Sequence, residues 1–266
     1  MANRESFSPG SSSNVSLKPL LVLDVDGVMV EAERSFMEAV ARALAELAPG
    51  IVWTDAHFRM FKRVGGFNND FRLTAAALAL HEAGQMERLW EAEGIGFPEL
   101  ESRMHELEPL CQRVVQAHYA DTRHLEKSLI TLAELEATGM DLAIYTGRPP
   151  EELVMAFEVL GFELPAVSDS APHLRKPRPD GLFLLVEQFG AQTVIFAGDT
   201  RDDAAALRAA RELRPDIAWT FAAIGPERER IAVEGDMQAT SLRELLSMLK
   251  VVDHSSKVAF RKIETG

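Results

Sequence analysis

Apolar positions follow two rhythms along this chain. The unbroken run Pro19-Leu20-Leu21-Val22-Leu23 ends in Asp24-Val25-Asp26-Gly27-Val28. A short apolar run closed by acidic residues and a glycine predicts a buried strand followed at once by a turn. Helical spacing takes over next. Residues 31–48 form one amphipathic stretch that stops at Pro49-Gly50, and Thr54-Asp55 starts another that reaches residue 64. Gly65-Gly66-Phe67-Asn68-Asn69-Asp70 breaks the pattern, an alanine-rich helix is expected over 71–83, and a long helix over 98–119. No strand is expected between residues 31 and 123.

From Leu125 the two periods alternate. Helices are expected at 128–137, 150–160, 180–189, 202–213 and 242–249. Strands are expected at 140–145, 166–168, 193–197 and 217–224. Strands alternating with helices imply right-handed crossovers and a parallel sheet. The expected fold is therefore α/β, a doubly wound Rossmann-like parallel sheet with an inserted all-helical segment. The core takes residues 18–30 and 124–252, and the insert takes 31–123. Residues 1–17 read as a loose Ser- and Gly-containing leader, and 253–266 as a tail without pattern.

Composition narrows the functional classes. The chain has 266 residues, 47% of them hydrophobic, enough to bury a sizeable core. A net charge of −13 argues against a nucleic-acid partner, which would need clustered Lys and Arg. A small anionic substrate stays compatible, because a few local cations or a metal ion reverse the local field. The single cysteine, Cys111, excludes an internal disulfide and a cysteine-built zinc cluster, and reads as a small core residue in a reducing, cytoplasmic setting. No apolar stretch approaches the roughly 18 residues of a membrane span, so no membrane partner is expected. Residues 1–16 lack the basic and then apolar layout of a secretory signal. A monomer or homodimer is expected.

Four polar clusters fall at the C-terminal ends of expected strands or in the loops beyond: Asp24/Asp26, Thr146-Gly147-Arg148, Lys176, and Gly198-Asp199 through Asp202-Asp203. In a doubly wound sheet these ends share one edge, so the clusters would converge. Taken singly, each has a plain reading: loop carboxylates, a turn, a solvated lysine, anions at a helix N-terminus. Arg148 fits a substrate contact or a surface ion pair equally well.

In that order and at those strand ends, the four clusters resemble the signature motifs of the haloacid dehalogenase-like hydrolase superfamily: Asp-x-Asp-Gly-Val, a strand-end Thr, a Lys before a helix, and Gly-Asp-x-x-x-Asp. The insert between the first two looks like that family's helical cap. The resemblance implies a Mg2+-dependent phosphatase acting on a small phosphorylated metabolite. Asp24 would be the nucleophile and Asp26 the proton donor and acceptor. Thr146, Gly147, Arg148 and Lys176 would hold the phosphoryl group. Asp24, the backbone carbonyl of Asp26, Asp199 and Asp203 would hold the metal, with Asp202 a neighbouring contender. Family members that resemble dehalogenases or phosphonate-cleaving enzymes lack the second aspartate, so its presence favours phosphate monoester chemistry. A phosphotransferase or mutase of the same family, or a binding protein without turnover, are the alternatives. Asn68, Asn69 and Asp70 fit substrate contacts from the insert, and their segment also looks like a bacterial subfamily with members linked to histidine biosynthesis.

Overall fold

The computed structural model describes residues 18–64, 66–67, 69–91 and 97–255. The N-terminal apolar run forms β1 (Leu20–Leu23), shut off from solvent along its whole length. Alternate residues of a strand face opposite ways, and both faces of β1 are covered. Leu21 and Leu23 belong to one apolar cluster, Leu20 and Val22 to another. A strand covered on both sides reads as a continuous apolar run instead of alternating.

In chain order β1 is followed by β2 (Val30–Glu31), α1 (Glu33–Leu47), α2 (Asp55–Val64), α3 (Asp70–Glu82) and α4 (Glu101–Thr122). Then come β3 (Lys127–Ser128), α5 (Leu132–Glu136), β4 (Asp141–Tyr145), α6 (Pro150–Leu160) and β5 (Ala166–Val167). The chain continues with α7 (Asp180–Phe189), β6 (Thr193–Gly198), α8 (Arg201–Leu213) and β7 (Ala218–Ile224). It ends with α9 (Arg228–Ile231), β8 (Met237–Ala239) and α10 (Leu242–Ser255).

Six strands make one parallel sheet in the order β5-β4-β1-β6-β7-β8. Leu135 of α5, Leu153 of α6 and Leu245 of α10 cover one face, while Leu182 of α7 and Leu207 of α8 cover the other. The chain builds β4 and β5 on one side of β1, then crosses to build β6, β7 and β8 on the other. Beyond the C-terminal ends at such a reversal lies the crevice where open α/β sheets take ligands. Helices α1 to α4 form a second layer with its own apolar cluster, running from Met37 to Tyr119. In α3 every residue from 73 to 80 is buried, between α1 and α4. A helix apolar all round belongs in the middle of a layer.

The structure departs from the expected elements at the junctions. Residues 30–31 and 127–128 pair antiparallel as a two-stranded ribbon joining the layers. Two-residue strands are too short to carry an alternation, so none was expected in the insert's flanks. Accordingly α5 begins at Leu132, not at 128, because Thr131 and Glu134 form a capping box there. The helix expected from residue 98 opens as the 3-10 turn Pro98–Leu100 before α4. Strand β8 and helix α9 were not expected, and α10 continues to Ser255 where the sequence reading placed a tail. The expected leader and the remainder of the expected tail lie outside the described residues. Among the described residues no helix is long and apolar enough to cross a membrane.

Candidate active site

Asp24 follows β1 directly, and its backbone N–H donates to Ala197 O at 2.9 Å. The register sets Leu23 beside Ile144 of β4 and Ala197 of β6. The loops that open with Thr146 and Asp199 therefore flank Asp24. The Asp24 side chain is buried, and its Oδ1 accepts from Val25 N at 2.8 Å and meets Lys176 Nζ at 2.8 Å. Lys176 Nζ also donates to Asp203 Oδ1 at 2.6 Å. Burial works against the ammonium, but Asp203 and Asp24 outweigh it and hold Lys176 above its ordinary range. The loop bearing Lys176 is pinned by Tyr145, whose hydroxyl lies 3.0 Å from Leu174 O and 2.6 Å from Arg178 O. The Lys176 ammonium sits 5.4 Å from the Tyr145 ring centroid and 5.6 Å from that of Phe196.

Asp203 is fully buried at the start of α8 and serves two partners. Its Oδ2 accepts from Thr200 N at 3.0 Å and Thr200 Oγ1 at 2.6 Å, closing a capping box, while Oδ1 holds Lys176. Two close approaches leave no room for side chains. A Cβ on Gly27, which has φ +71°, would lie 1.9 Å from Asp199 Oδ2, and one on Gly198 would lie 2.4 Å from Asp203 Cβ. Glycine is required where the backbone passes so near.

Asp24, Asp199 and Asp203 offer carboxylate oxygens that all lie within 4.8 Å of one another. Asp202, the neighbouring contender, stands outside this group. Burial pushes the Asp24 carboxyl up to about 7, with Lys176 opposing and Asp203 adding to the rise. Burial likewise pushes Asp199 well up, reinforced by Asp24 and Asp203. Asp199 Oδ1 is buried without a hydrogen-bond partner among the described residues. An orphaned carboxylate oxygen, mutual repulsion and an all-oxygen donor set fit a hard divalent cation.

Asp26 and Arg148 meet at the rim. Thr146 is buried, its N–H donates to Val167 O at 3.0 Å, and its Oγ1 accepts from Arg148 N at 3.2 Å, which leaves the hydroxyl hydrogen for another acceptor. Gly147 is exposed beside it. The Arg148 side chain is neither on the surface nor open to a ligand: it is 1% exposed and ion-paired to Asp26. Its Nε donates to Asp26 Oδ1 at 3.0 Å, and Nη2 donates to Asp26 Oδ1 at 2.6 Å and Glu126 Oε1 at 3.0 Å. Its Nη1 donates to Tyr119 OH at 2.9 Å and Glu152 O at 3.3 Å. Burial opposes this cation, and Asp26 outweighs it, with Tyr119 and Glu126 adding to the effect. A guanidinium has five donors, and all are taken by protein acceptors. The surface ion-pair reading of Arg148 is corrected on this geometry, and no donor is left for a phosphoryl oxygen.

From the insert, Asp70 is largely but not fully buried and pairs with Lys62 Nζ at 2.9 Å. Burial raises its carboxyl, Lys62 opposes, and the charges of Asp26 and Arg148 act on it as well. Asn69 is the N-cap of α3, its Oδ1 accepting from Phe71 N at 2.9 Å and Arg72 N at 3.0 Å, so a ligand could meet only its amide nitrogen. Asn68 lies outside the described residues. Sequence reasoning missed Lys62, Tyr119, Glu126 and Glu152. Each lies in a helical or linker stretch without a motif of its own, and only the three-dimensional packing gives it a partner.

The family profile of the haloacid dehalogenase-like hydrolases matches residues 19–211. The chain belongs to that family. Phosphoglycolate phosphatase of Escherichia coli (strain K12) is 24% identical over 213 residues, 76% of this chain and 81% of that protein. Imidazoleglycerol-phosphate dehydratase of Phytophthora nicotianae is 28% identical over 258 residues, 89% of this chain but 54% of that protein. Phosphatase Tt82 from Thermococcus thioreducens shares the fold, with a TM-score of 0.63 at 22% identity over 87% of this chain and 99% of that one. Family membership, with the phosphoglycolate phosphatase relatives, makes the hydrolase an enzyme of phosphatase type.

Proposed function

We propose that this hydrolase is a Mg2+-dependent phosphatase that cleaves a small phosphomonoester through an aspartyl-phosphate on Asp24. The observation that carries the reading is the joint placement of Asp24, Lys176, Asp199 and Asp203, which come from three separate stretches of chain. Asp24 Oδ1 is fixed by Val25 N and Lys176, leaving Oδ2 to attack phosphorus. As that bond forms, the bond from phosphorus to the leaving oxygen breaks, and Asp26 gives the departing alcohol its proton. Asp26 then takes a proton from the water that attacks phosphorus, and the bond to Asp24 breaks to release phosphate. Lys176 and the Thr146 hydroxyl offset charge on the phosphoryl oxygens, an effect worth about 3 kcal/mol per donor in comparable sites. Asp24 and Asp199, with Asp203 behind them, would hold the metal ion, which lowers the repulsion between a phosphate and a carboxylate nucleophile.

The names of the phosphoglycolate phosphatase relatives point to small alkyl phosphates as the first substrates to try. The dehydratase relative adds imidazole-bearing phosphates to the panel. Asp24→Asn removes the nucleophile and should cut phosphate release by about a thousandfold or more with the melting temperature preserved. Rapid quenching and peptide mapping of the wild type should find the phosphoryl group on Asp24. Turnover retained by the variant would refute the assignment. Phosphate found on an acceptor hydroxyl instead of in solution would move the enzyme to the phosphotransferases.

A further inference from the structure

Arg148 is placed where a phosphoryl ligand would be expected, yet every one of its donors faces protein. Its acceptors are not scattered. Two belong to the core: the Glu152 carbonyl on α6, and Asp26, whose side chain is 37% exposed. Tyr119 lies near the end of α4 and Glu126 in the link that follows, where the chain returns from the insert to the core. Glu126 Oε1 also accepts from Tyr119 OH at 2.7 Å and from Ser35 Oγ at 2.9 Å, and Ser35 stands at the start of α1, where the chain enters the insert. Ser35 O in turn accepts from Thr122 Oγ1 at 3.0 Å, tying the two passages to each other. The Phe36 ring stacks on Tyr119 with centroids 4.7 Å apart, and the guanidinium lies 5.4 Å from the Phe36 centroid.

We propose that Arg148 is a positioning residue that clamps the Asp26 carboxyl to both passages between insert and core, so that proton transfer to the leaving group depends on where the insert sits. The inference rests on the phosphatase reading above. Both oxygens of Asp26 are held by the guanidinium, Oδ1 from Nε and Nη2 and Oδ2 from Nε at 3.2 Å, while the side chain stays partly exposed. Moving the insert about its two passages displaces Tyr119, Glu126 and Ser35 together, and the guanidinium carries that displacement to Asp26. A planar fork transmits orientation in a way that a single ammonium would not. A misplacement of about 1 Å in such a group can cost about a hundredfold in rate.

Leaving groups separate this role from a merely structural one. An alkyl alcohol needs a proton to depart, whereas 4-nitrophenolate departs without one. The value of kcat/KM covers the steps up to leaving-group departure, so it isolates the proton-donating half of the reaction. Tyr119→Phe, which keeps the ion pair, should lower kcat/KM about tenfold for an alkyl phosphate such as 2-phosphoglycolate but less than about twofold for 4-nitrophenyl phosphate. Arg148→Lys should deepen the alkyl loss to about a hundredfold with the same selectivity. If Arg148→Lys does not fold, as judged by circular dichroism and melting, Tyr119→Phe decides alone. Equal losses on both substrates, or no loss on either, would overturn the clamp. Asp26→Asn serves as the reference: a leaving-group-selective loss there with a non-selective one in Tyr119→Phe refutes the clamp alone, whereas a non-selective loss in Asp26→Asn refutes the acid role itself.

Discussion

A buried carboxyl that is only partly paired makes stability depend on pH, and Glu152 is such a group. It sits on α6, its Oε1 is unpaired among the described residues, and burial pushes it from 4.5 up to about 7 against the opposing Arg148 charge and a Gln116 hydrogen bond. Folding therefore favours the protonated form. The stability this confers is complete below pH 4.5 and is lost as the pH rises through about 7. Glu152→Gln copies the protonated form at every pH. At pH 8 the variant should be the more stable by up to about 3 kcal/mol, the equivalent of that rise in pKa. The gain should shrink toward nothing as the pH falls to 4.5, and urea unfolding at several pH values measures it. A variant less stable than the wild type at pH 8 would mean that the ionised side chain has a partner the fold supplies. Cys111, by contrast, is pushed up to about 12 mainly by burial, which agrees with the inert core role read from the sequence.

At the scale of elements, the start of α8 ties a local helix signal to the chemistry. Asp203 both closes the capping box with Thr200 and holds Lys176. Thr200→Ala should cost about 1 kcal/mol through the lost cap. It should also free Asp203 to turn, lowering kcat more than that stability loss explains. Thermal melts set beside turnover test this, and an unchanged kcat would show that Lys176 and the Thr200 backbone N–H are enough to fix Asp203. This doubling explains what was legible in the sequence. Strand-end residues such as Asp24, Thr146 and Asp199 announce themselves because an apolar run stops at them. Helices α6 and α7 were readable to the residue, since Gly161 and Gly190 stop them in the left-handed conformation. The ribbon of β2 and β3 was not readable, because its two-residue strands are defined by each other and not by any pattern of their own. The role of Arg148 was hidden for the same reason. Its side-chain partners lie 122, 29 and 22 positions away along the chain, and nothing local distinguishes a guanidinium bound for a ligand from one bound for acceptors of the protein.

For the whole molecule, the acidic balance and the metal reading belong together. A chain of net charge −13 that gathers three carboxylates at one sheet edge carries a local repulsion that a cation would relieve. Added Mg2+ should raise the melting temperature and EDTA should lower it. At a hundred times the dissociation constant the gain is about 2.7 kcal/mol. Asp199→Asn should abolish the response, and a shift of equal size in that variant would place the cation elsewhere. The two layers also have separate apolar interiors, joined through a narrow ribbon and the residues around it. Such an arrangement invites the exchange of one helical layer for another from a relative, as a way to alter substrate choice. The graft cannot be cut at the ribbon alone. A transplanted layer that lacked counterparts of Ser35, Tyr119 and Glu126 would strand a buried guanidinium without two of its acceptors, Tyr119 and Glu126, and chimeras of this enzyme will succeed or fail on whether that trio travels with the donor segment.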